Sequence, residues 1–209
     1  MEIKALLPFV TSLFGAFFGA LGAYWVGRFK EKRDETNRRH SALLATQYAL
    51  HSQWHVIESL RLTYLEPNRK HEHRHMRLGK YVRADAEMVP FEELTFLIDS
   101  DDANLLQEIH LAQMSYLQTV KVLDRMILEQ AEFEKRHPPV DLDPITDMSN
   151  VAVDKAEYNQ MRIIADMLYK TAYEALPKFD EQVRNIHRFV KRNFKNRKSI
   201  PGILQLPNA

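Results

Sequence analysis

The sequence predicts an all-α protein, with a single N-terminal transmembrane helix followed by a cytoplasmic helical bundle that is expected to be homo-oligomeric. Three observations favour this class. Residues 5–27 carry no charged side chain, later stretches repeat apolar side chains at helical spacing, and no segment of useful length alternates apolar and polar residues. The chain has 209 residues, which suits one membrane segment and one folded domain.

The uncharged stretch of residues 5–27 is the predicted membrane helix. At 1.5 Å per residue it would be roughly 35 Å long, enough for a hydrocarbon core of about 30 Å. Tyr24 and Trp25 stand at its end, where aromatic rings prefer the headgroup layer. Six basic residues follow within 28–39 but only Lys4 precedes it, so the positive-inside rule places the C-terminal bulk in the cytoplasm. Its length disfavours a cleaved signal peptide, and its lack of charge disfavours a buried core helix.

Small residues line part of this helix. Gly15 and Gly19 form a G-x-x-x-G pair, and Gly22 and Ala23 extend the small surface. Small side chains let transmembrane backbones approach closely. We therefore expect these residues to pack against a second membrane helix, most simply that of another copy of the chain. A plain anchor with incidental glycines is the alternative.

Prolines divide the remaining chain into helices. After the membrane segment (1–28), residues 29–67 form a linker helix that Pro67 ends; Gln47 and Arg61 are polar exceptions in its apolar stripe. Residues 68–209 form the cytoplasmic helical domain, and its amphipathic helices predict a bundle. Pro177 is expected to kink the last helix or split it in two. The elements expected in this domain are an irregular segment to residue 90, a short helix over 91–98, a long helix from about 101 to 136, a proline-containing loop over 138–153 and a last helix from about 154 to 196.

Charge is segregated along the chain, although its net value is only +1. Residues 68–83 hold six Lys or Arg and three His, residues 184–198 hold seven Lys or Arg, and residues 85–147 hold fifteen acids against four basic residues. Such basic segments bind anionic lipid, bind a polyanion such as nucleic acid, or form a solvated face or an intersubunit salt bridge to the acidic segment. All three readings stay open. The candidate polyanion contacts are Arg69, Lys70, His71, His73, Arg74, His75, Arg77, Lys80 and Arg83.

Motifs indicate that the protein is not an enzyme. The chain lacks cysteine, which excludes thiol catalysis, disulfides and Cys-ligated metal sites. The segment from His71 to His75 matches H-E-x-x-H, in which two His bind zinc and Glu is the general base. Charges within and around the motif disfavour that use, and Pro67 and Gly79 leave little room for a helix. We expect no catalytic residue, no metal and no cofactor, and a metalloprotease is the least favoured function.

The order of these features resembles Hailong-type transmembrane effectors of bacterial anti-phage defence. The resemblance covers the whole chain: a Gly/Ala-rich helix running into R-x-K-x-K-R at residues 28–33, a long linker helix, a basic patch and a helical bundle. In that family a single-stranded DNA oligomer on a cytoplasmic domain holds a transmembrane pore shut. The resemblance implies an oligonucleotide-gated ion channel in the bacterial inner membrane, built as a homo-oligomer such as a tetramer. It makes the basic residues of 68–83 the candidate phosphate contacts.

A membrane-tethered helical adaptor or scaffold, without a pore or a ligand, is the second hypothesis. It shares the anchor and the bundle with the first. It predicts that the domain left after removal of residues 1–28 is soluble and still binds a protein partner. The sequence alone does not decide between the two.

Overall fold

The computed structural model describes residues 3–76, 85–98, 102–137, 155–195 and 197–202, with side chains described from residue 14 onward. Every regular element in these ranges is helical, which confirms the predicted all-α class and the helical bundle. Three long helices dominate: α1 (Ile3–Leu60), α3 (Ala103–Arg136) and α4 (Lys155–Asn193). The short elements are a π-helical turn (Arg61–Leu65), α2 (Glu66–Asn68) and 3-10 helices at Arg74–Met76 and Phe91–Leu97.

Helix α1 is one continuous element of 58 residues, about 87 Å long at 1.5 Å per residue. The predicted membrane segment and the predicted linker are therefore two parts of a single helix. The sequence has neither Pro nor Gly between residues 28 and 60, so nothing interrupts the backbone ladder there. Every described side chain from residue 14 to residue 36 is exposed, whereas one face of the second part is buried in the bundle.

Over the residues that the structure describes, no helix is both long enough and apolar enough to cross a bilayer. Residues 5–13 of the predicted membrane segment lie outside the range of described side chains. The described remainder of the segment, residues 14–27, is uncharged and exposed. Phe14, Phe17, Phe18, Trp25 and Val26 are each more than half exposed.

The core lies between α3, α4 and the second part of α1, with α3 and α4 forming the largest contact. Each fully buried Leu, Ile or Phe side chain contributes about 1.5–3 kcal/mol relative to its exposed state. The Phe91–Leu97 helix caps one side of this core through Leu94 and Leu97. The largest fully buried side chains of the long helices are Leu43, Leu50, Ile57, Ile109, Met126, Ile164, Leu168, Phe179 and Ile186.

Pro177 lies inside α4, which runs through it without a break. Of the two outcomes expected for this proline, a kink or a split, the split does not occur. Its ring removes the one backbone bond that its missing N–H would have made to the residue 173 carbonyl. Ala175 and Phe179, both fully buried, hold the chain in the core on either side, so packing offsets the lost bond.

The last described residues, 197–202, fold back over α1 and α4, and we call them the C-terminal strap. Gln47 binds the strap from a fully buried position. Its Nε2 donates to the carbonyls of Ile200 (2.9 Å) and Val183 (3.1 Å), and its Oε1 accepts from the Ile200 N–H (3.1 Å). His40 Nε2 lies 3.0 Å from the Lys198 carbonyl.

Candidate functional site

Residues 69–76, the described part of the predicted basic segment, form a turn-rich segment that we call the basic loop. It begins where α2 ends, beyond the π-helical turn that closes α1. Successive backbone bonds shape it: the N–H of Arg69 donates to Glu66, that of His71 to Asn68, and that of Arg74 to His71. These local bonds direct the loop against the first half of α4.

Two tyrosines of α4 bind the junction between α1 and the basic loop. The hydroxyl of Tyr169, a buried side chain, donates to the Leu65 carbonyl at 2.7 Å. The hydroxyl of Tyr173 donates to a carboxylate oxygen of Glu66. Burial is the main cause that raises the pKa of both phenols, so both stay protonated donors. The exit of α1 is therefore bonded to α4 at two consecutive turns.

Two arginines of the basic loop already have acid partners. Arg74 Nη2 lies 2.5 Å from Asp166 Oδ1, and its guanidinium carbon lies 4.8 Å from the centre of the Tyr169 ring. Arg69 lies 3.6 Å from Glu66 and 5.2 Å from the centre of the Tyr173 ring. Both were predicted phosphate contacts. Their charge is partly balanced within the protein, although pairs this exposed contribute only about 0–1 kcal/mol each.

A third arginine lies just before the loop, at the predicted polar exception Arg61. It forms a two-pronged ion pair with Glu58, with N–O distances of 2.6 and 2.7 Å. The Glu58 carboxylate raises the pKa of Arg61, which outweighs the effect of partial burial. This polar exception in the α1 stripe is thus explained by an internal partner one turn away.

The three histidines of the loop lie side by side, with 6.3 Å between the ring centres of neighbours. His73 Nδ1 lies 3.0 Å from the Tyr158 hydroxyl, and His71 Nδ1 accepts the N–H of His73. The histidines differ in exposure, since His71 is half-buried and His73 is exposed whereas His75 is only 1% exposed.

His75 has an unusual environment. Its ring meets that of Tyr158 edge to face at 4.3 Å, and neither ring nitrogen has a hydrogen-bond partner in the structure as described. Burial lowers its pKa, and the charges of His73 and Arg162 lower it further. A polyanion cannot reach this predicted contact while the loop keeps this conformation.

The H-E-x-x-H segment does not have the geometry of a zinc protease. Residues 71–73 are not helical and residues 74–76 are a 3-10 helix, so His71 and His75 are not one α-helical turn apart on a common face. Within the described ranges, no three His, Asp or Glu side chains are arranged to hold a metal ion.

The remaining predicted residues fall into two groups. Lys70 is exposed, whereas Arg77, Lys80 and Arg83 lie outside the described residues. The predicted packing residues Gly15, Gly19, Gly22 and Ala23 are all exposed. A Cβ atom added at any of these glycines would meet nothing within 4 Å, so their surface is open.

The second basic segment joins the acidic middle of the chain. Arg192 Nη2 lies 2.5 Å from Asp102 Oδ1 at the start of α3, and Arg184 lies 2.5 Å from Asp180 on its own helix. The salt bridge expected from the sequence was between subunits, whereas both of these lie within one chain. Polyanion binding at residues 184–198 stays an untested alternative.

The surface of α4 that the basic loop contacts was not predicted from the sequence. Tyr158, Arg162 and Asp166 follow one another at four-residue spacing on α4, and Tyr169 and Tyr173 continue this surface. This spacing of polar and aromatic residues was a usable signal. The contact of these residues with the basic loop could not be predicted from the sequence, because Arg74 and Asp166 are 92 residues apart.

No protein-family model, no curated protein and no solved structure matches the chain.

Proposed function

We propose that the protein is a membrane-anchored, homo-oligomeric effector that forms a ligand-gated pore and binds an oligonucleotide or other polyanion through its cytoplasmic bundle. One observation carries the proposal. The first part of α1 extends from the bundle with its apolar side chains exposed, whereas the second part of the same helix supplies core residues.

A bilayer is the environment that fits the exposed part of α1. Successive residues of a helix are rotated by about 100°, so Phe14, Phe17, Phe18, Leu21 and Trp25 form one stripe along it, while the other side carries small or apolar, uncharged residues: Ala16, Ala20, Ala23 and Val26. A helix that is apolar on most sides needs apolar surroundings on most sides. Exposed apolar surface on this scale marks an interaction site.

The charges that follow support a membrane anchor with a cytoplasmic bundle. Arg28 lies over the Tyr24 ring at 5.7 Å, and further basic residues continue to Arg39. Basic side chains beside anionic headgroups contribute about 1 kcal/mol each. The open surface around Gly15 and Gly19 leaves room for a second copy of the helix, and several copies around an axis would make the pore.

The basic loop is the proposed ligand site, with Lys70 as its exposed cation and the rings of His71 and His73 as neighbouring hydrogen-bonding groups. Arg69 and Arg74 would join by exchanging their carboxylate partners for phosphates, which recognise guanidinium in the same way. Because the loop follows directly from the end of α1, ligand binding there would act on the helix that enters the membrane.

A second candidate, a membrane-tethered adaptor with no pore and no nucleotide ligand, is favoured by the internal pairing of Arg69 and Arg74. In that case the basic loop stabilises the junction of α1 and α4. The two candidates share the anchor and differ in whether the loop has a ligand.

The anchor is tested by alkaline extraction of membranes and the pore by planar-bilayer conductance of the purified chain. Retention in the membrane together with ligand-sensitive conductance is the expected result. A chain released by alkali would refute the anchor, and a silent bilayer with and without oligonucleotide would refute the pore.

The ligand is tested with a fluorescent single-stranded oligonucleotide and the variant Lys70→Glu, with Lys121→Glu on the exposed face of α3 as the matched control. We expect Lys70→Glu to weaken binding and to lower the slope of log Kd against log salt by about 0.7 per lost phosphate contact. Equal binding by wild type and both variants would favour the adaptor.

A further inference from the structure

The part of α1 that enters the bundle has an unusual outer face. Its opposite face is buried core, yet the outer face has no charge over almost three heptads. We call this line of residues the α1 seam. It comprises Ser41, Ala45, Tyr48, Ser52, His55 and Ser59.

The seam has the spacing of a helix–helix contact. Its steps alternate between four and three residues, so alternate positions repeat every seven residues, the heptad that keeps one side of a helix against a parallel helix. All six positions are exposed except Ser52, which is half-buried, and Tyr48 is 59% exposed. Small side chains at four positions would let a neighbouring helix approach closely around Tyr48 and His55.

The charge pattern distinguishes the seam from an ordinary solvated face. The exposed face of α4 beyond the basic loop has the usual composition, with Lys170, Glu174, Lys178 and Glu181 at three- to four-residue spacing. The nearest charge beside the seam, Glu58, is half-buried and neutralised by Arg61. The groups that the seam exposes to solvent are the serine hydroxyls, the alanine methyl group and the rings of Tyr48 and His55.

This pattern identifies the occupant as a second copy of the same helix. When two parallel copies pack about a symmetry axis, each seam residue meets its own counterpart, so a charged position would meet a like charge. An uncharged line avoids this like-charge contact and is therefore complementary to itself. The same heptad line becomes charged at Glu31, Asp34 and Arg38, which sets the N-terminal limit of the contact.

The ring of His55 is also held in place for such a contact. The His51 ring meets it edge to face at 4.4 Å, and the Trp54 ring lies 5.0 Å away at 75°. Trp54 is itself buried, so it forms a fixed support. A side chain that is already ordered loses less entropy when a partner packs on it.

We propose that the α1 seam is a parallel self-association surface between copies of the chain. The proposal rests on the membrane anchor, because insertion in one direction makes the α1 helices of neighbouring copies parallel. Six positions along about 27 Å of helix form a small contact. Stable specific interfaces bury about 1,200–2,000 Å², so membrane confinement has to supply the rest.

Single-cysteine cross-linking in native membranes tests the seam, since the chain has no cysteine of its own. Ser52→Cys is the test variant and Ala131→Cys, small and exposed on α3, is the matched control. Mild oxidation should convert Ser52→Cys to covalent dimers, because disulfides need Cα atoms about 4.4–6.8 Å apart, and should leave Ala131→Cys monomeric. Dimers from neither variant, or equally from both, would overturn the proposal.

Charge insertion gives a second test on the detergent-solubilised chain. Ser52→Lys places like charges against each other and should weaken self-association by about tenfold, whereas Ala131→Lys should leave it unchanged. An unaltered oligomer mass for Ser52→Lys would also overturn the seam. Alkaline extraction of the same membranes distinguishes the seam proposal from the anchor proposal. Retention of the chain without seam cross-links would refute only the seam, whereas release of the chain would refute the anchor.

Discussion

Replacing Gln47 with alanine should loosen the C-terminal strap and destabilise the whole bundle. Gln47 is fully buried and makes three hydrogen bonds, two to Ile200 and one to the Val183 carbonyl. The change removes all three bonds. It also strands the Ile200 N–H and carbonyl in an apolar setting unless the strap lifts off.

The expected loss of stability lies between two limits: either the strap stays in place with unpaired groups, or it detaches. Three neutral hydrogen bonds contribute about 1 kcal/mol each, and every stranded buried group costs about 1–3 kcal/mol. Release of the strap limits the loss, because water can then satisfy the freed groups. We therefore expect the free energy of unfolding to fall by about 2–4 kcal/mol, a large part of a typical total of about 5–15 kcal/mol.

Denaturant unfolding followed by circular dichroism measures the loss, and hydrogen exchange at residues 197–202 reports the strap. Thr46→Val is the matched control. Thr46 is also fully buried, but its hydroxyl donates only to the Ala42 carbonyl within α1, at 2.8 Å. This control should cost about 1 kcal/mol or less and leave strap protection unchanged. A Gln47→Ala loss below about 1 kcal/mol, or unchanged exchange in the strap, would refute the reasoning.

Three further predictions concern the core and the loop junction. His75→Phe should raise the free energy of unfolding by about 1 kcal/mol at pH 7, because it keeps the contact with Tyr158 and removes two unpaired nitrogens. Burial lowers the pKa of His75, so the unfolded chain binds its proton first. Wild-type stability should therefore fall as pH drops below about 6.5, and His75→Phe should fall less steeply; parallel pH curves would contradict this. Leu50→Ala should cost about 2–5 kcal/mol in denaturant unfolding, and a cost under 1 would show that the site is not core. Tyr169→Phe should cost about 1–2 kcal/mol through the lost bond to the Leu65 carbonyl, with faster hydrogen exchange at residues 61–68; unchanged exchange would argue against that link.

Sequence periodicity predicted the core of α4 better than that of α3. In the last helix, three- and four-residue spacing of apolar residues predicts one buried line, and all ten members are buried: Met161, Ile164, Leu168, Ala172, Ala175, Phe179, Val183, Ile186, Val190 and, just past the end of α4, Phe194. Helix α3 carries a wider apolar face. The same spacing rule in α3 predicts Leu106 and Val120 inside, but they are only partly buried, whereas Leu105 and Met126 are buried. Periodicity gives the apolar side of such a helix, but its partners decide which edge is covered.

Local sequence was also enough to locate the basic loop, but not its surroundings. Residues 68–83 stand out by charge alone, and the short-range turns of the loop follow from its composition. The acid that neutralises Arg74 and the tyrosines that bind the end of α1 come from a helix about ninety residues away, and no spacing rule connects the two segments. Gln47 is a similar case. In the sequence it is only a polar exception in an apolar stripe, because the strap residue that it binds, Ile200, is 153 residues further on.

The continuity of α1 constrains how the proposed effector would act. One helix without an interior Pro or Gly beyond residue 28 carries the exposed apolar segment, the seam and the core stripe. Such a helix transmits movement by shifting or rotating as a body, because bending it would break its backbone bonds. The first change of backbone geometry comes at the π-helical turn Arg61–Leu65, where Tyr169 and Tyr173 bind the exit of the helix. A ligand that changes the conformation of the basic loop would therefore act through this turn on the whole of α1. The movement would reach neighbouring copies at the α1 seam, where the helices are in contact.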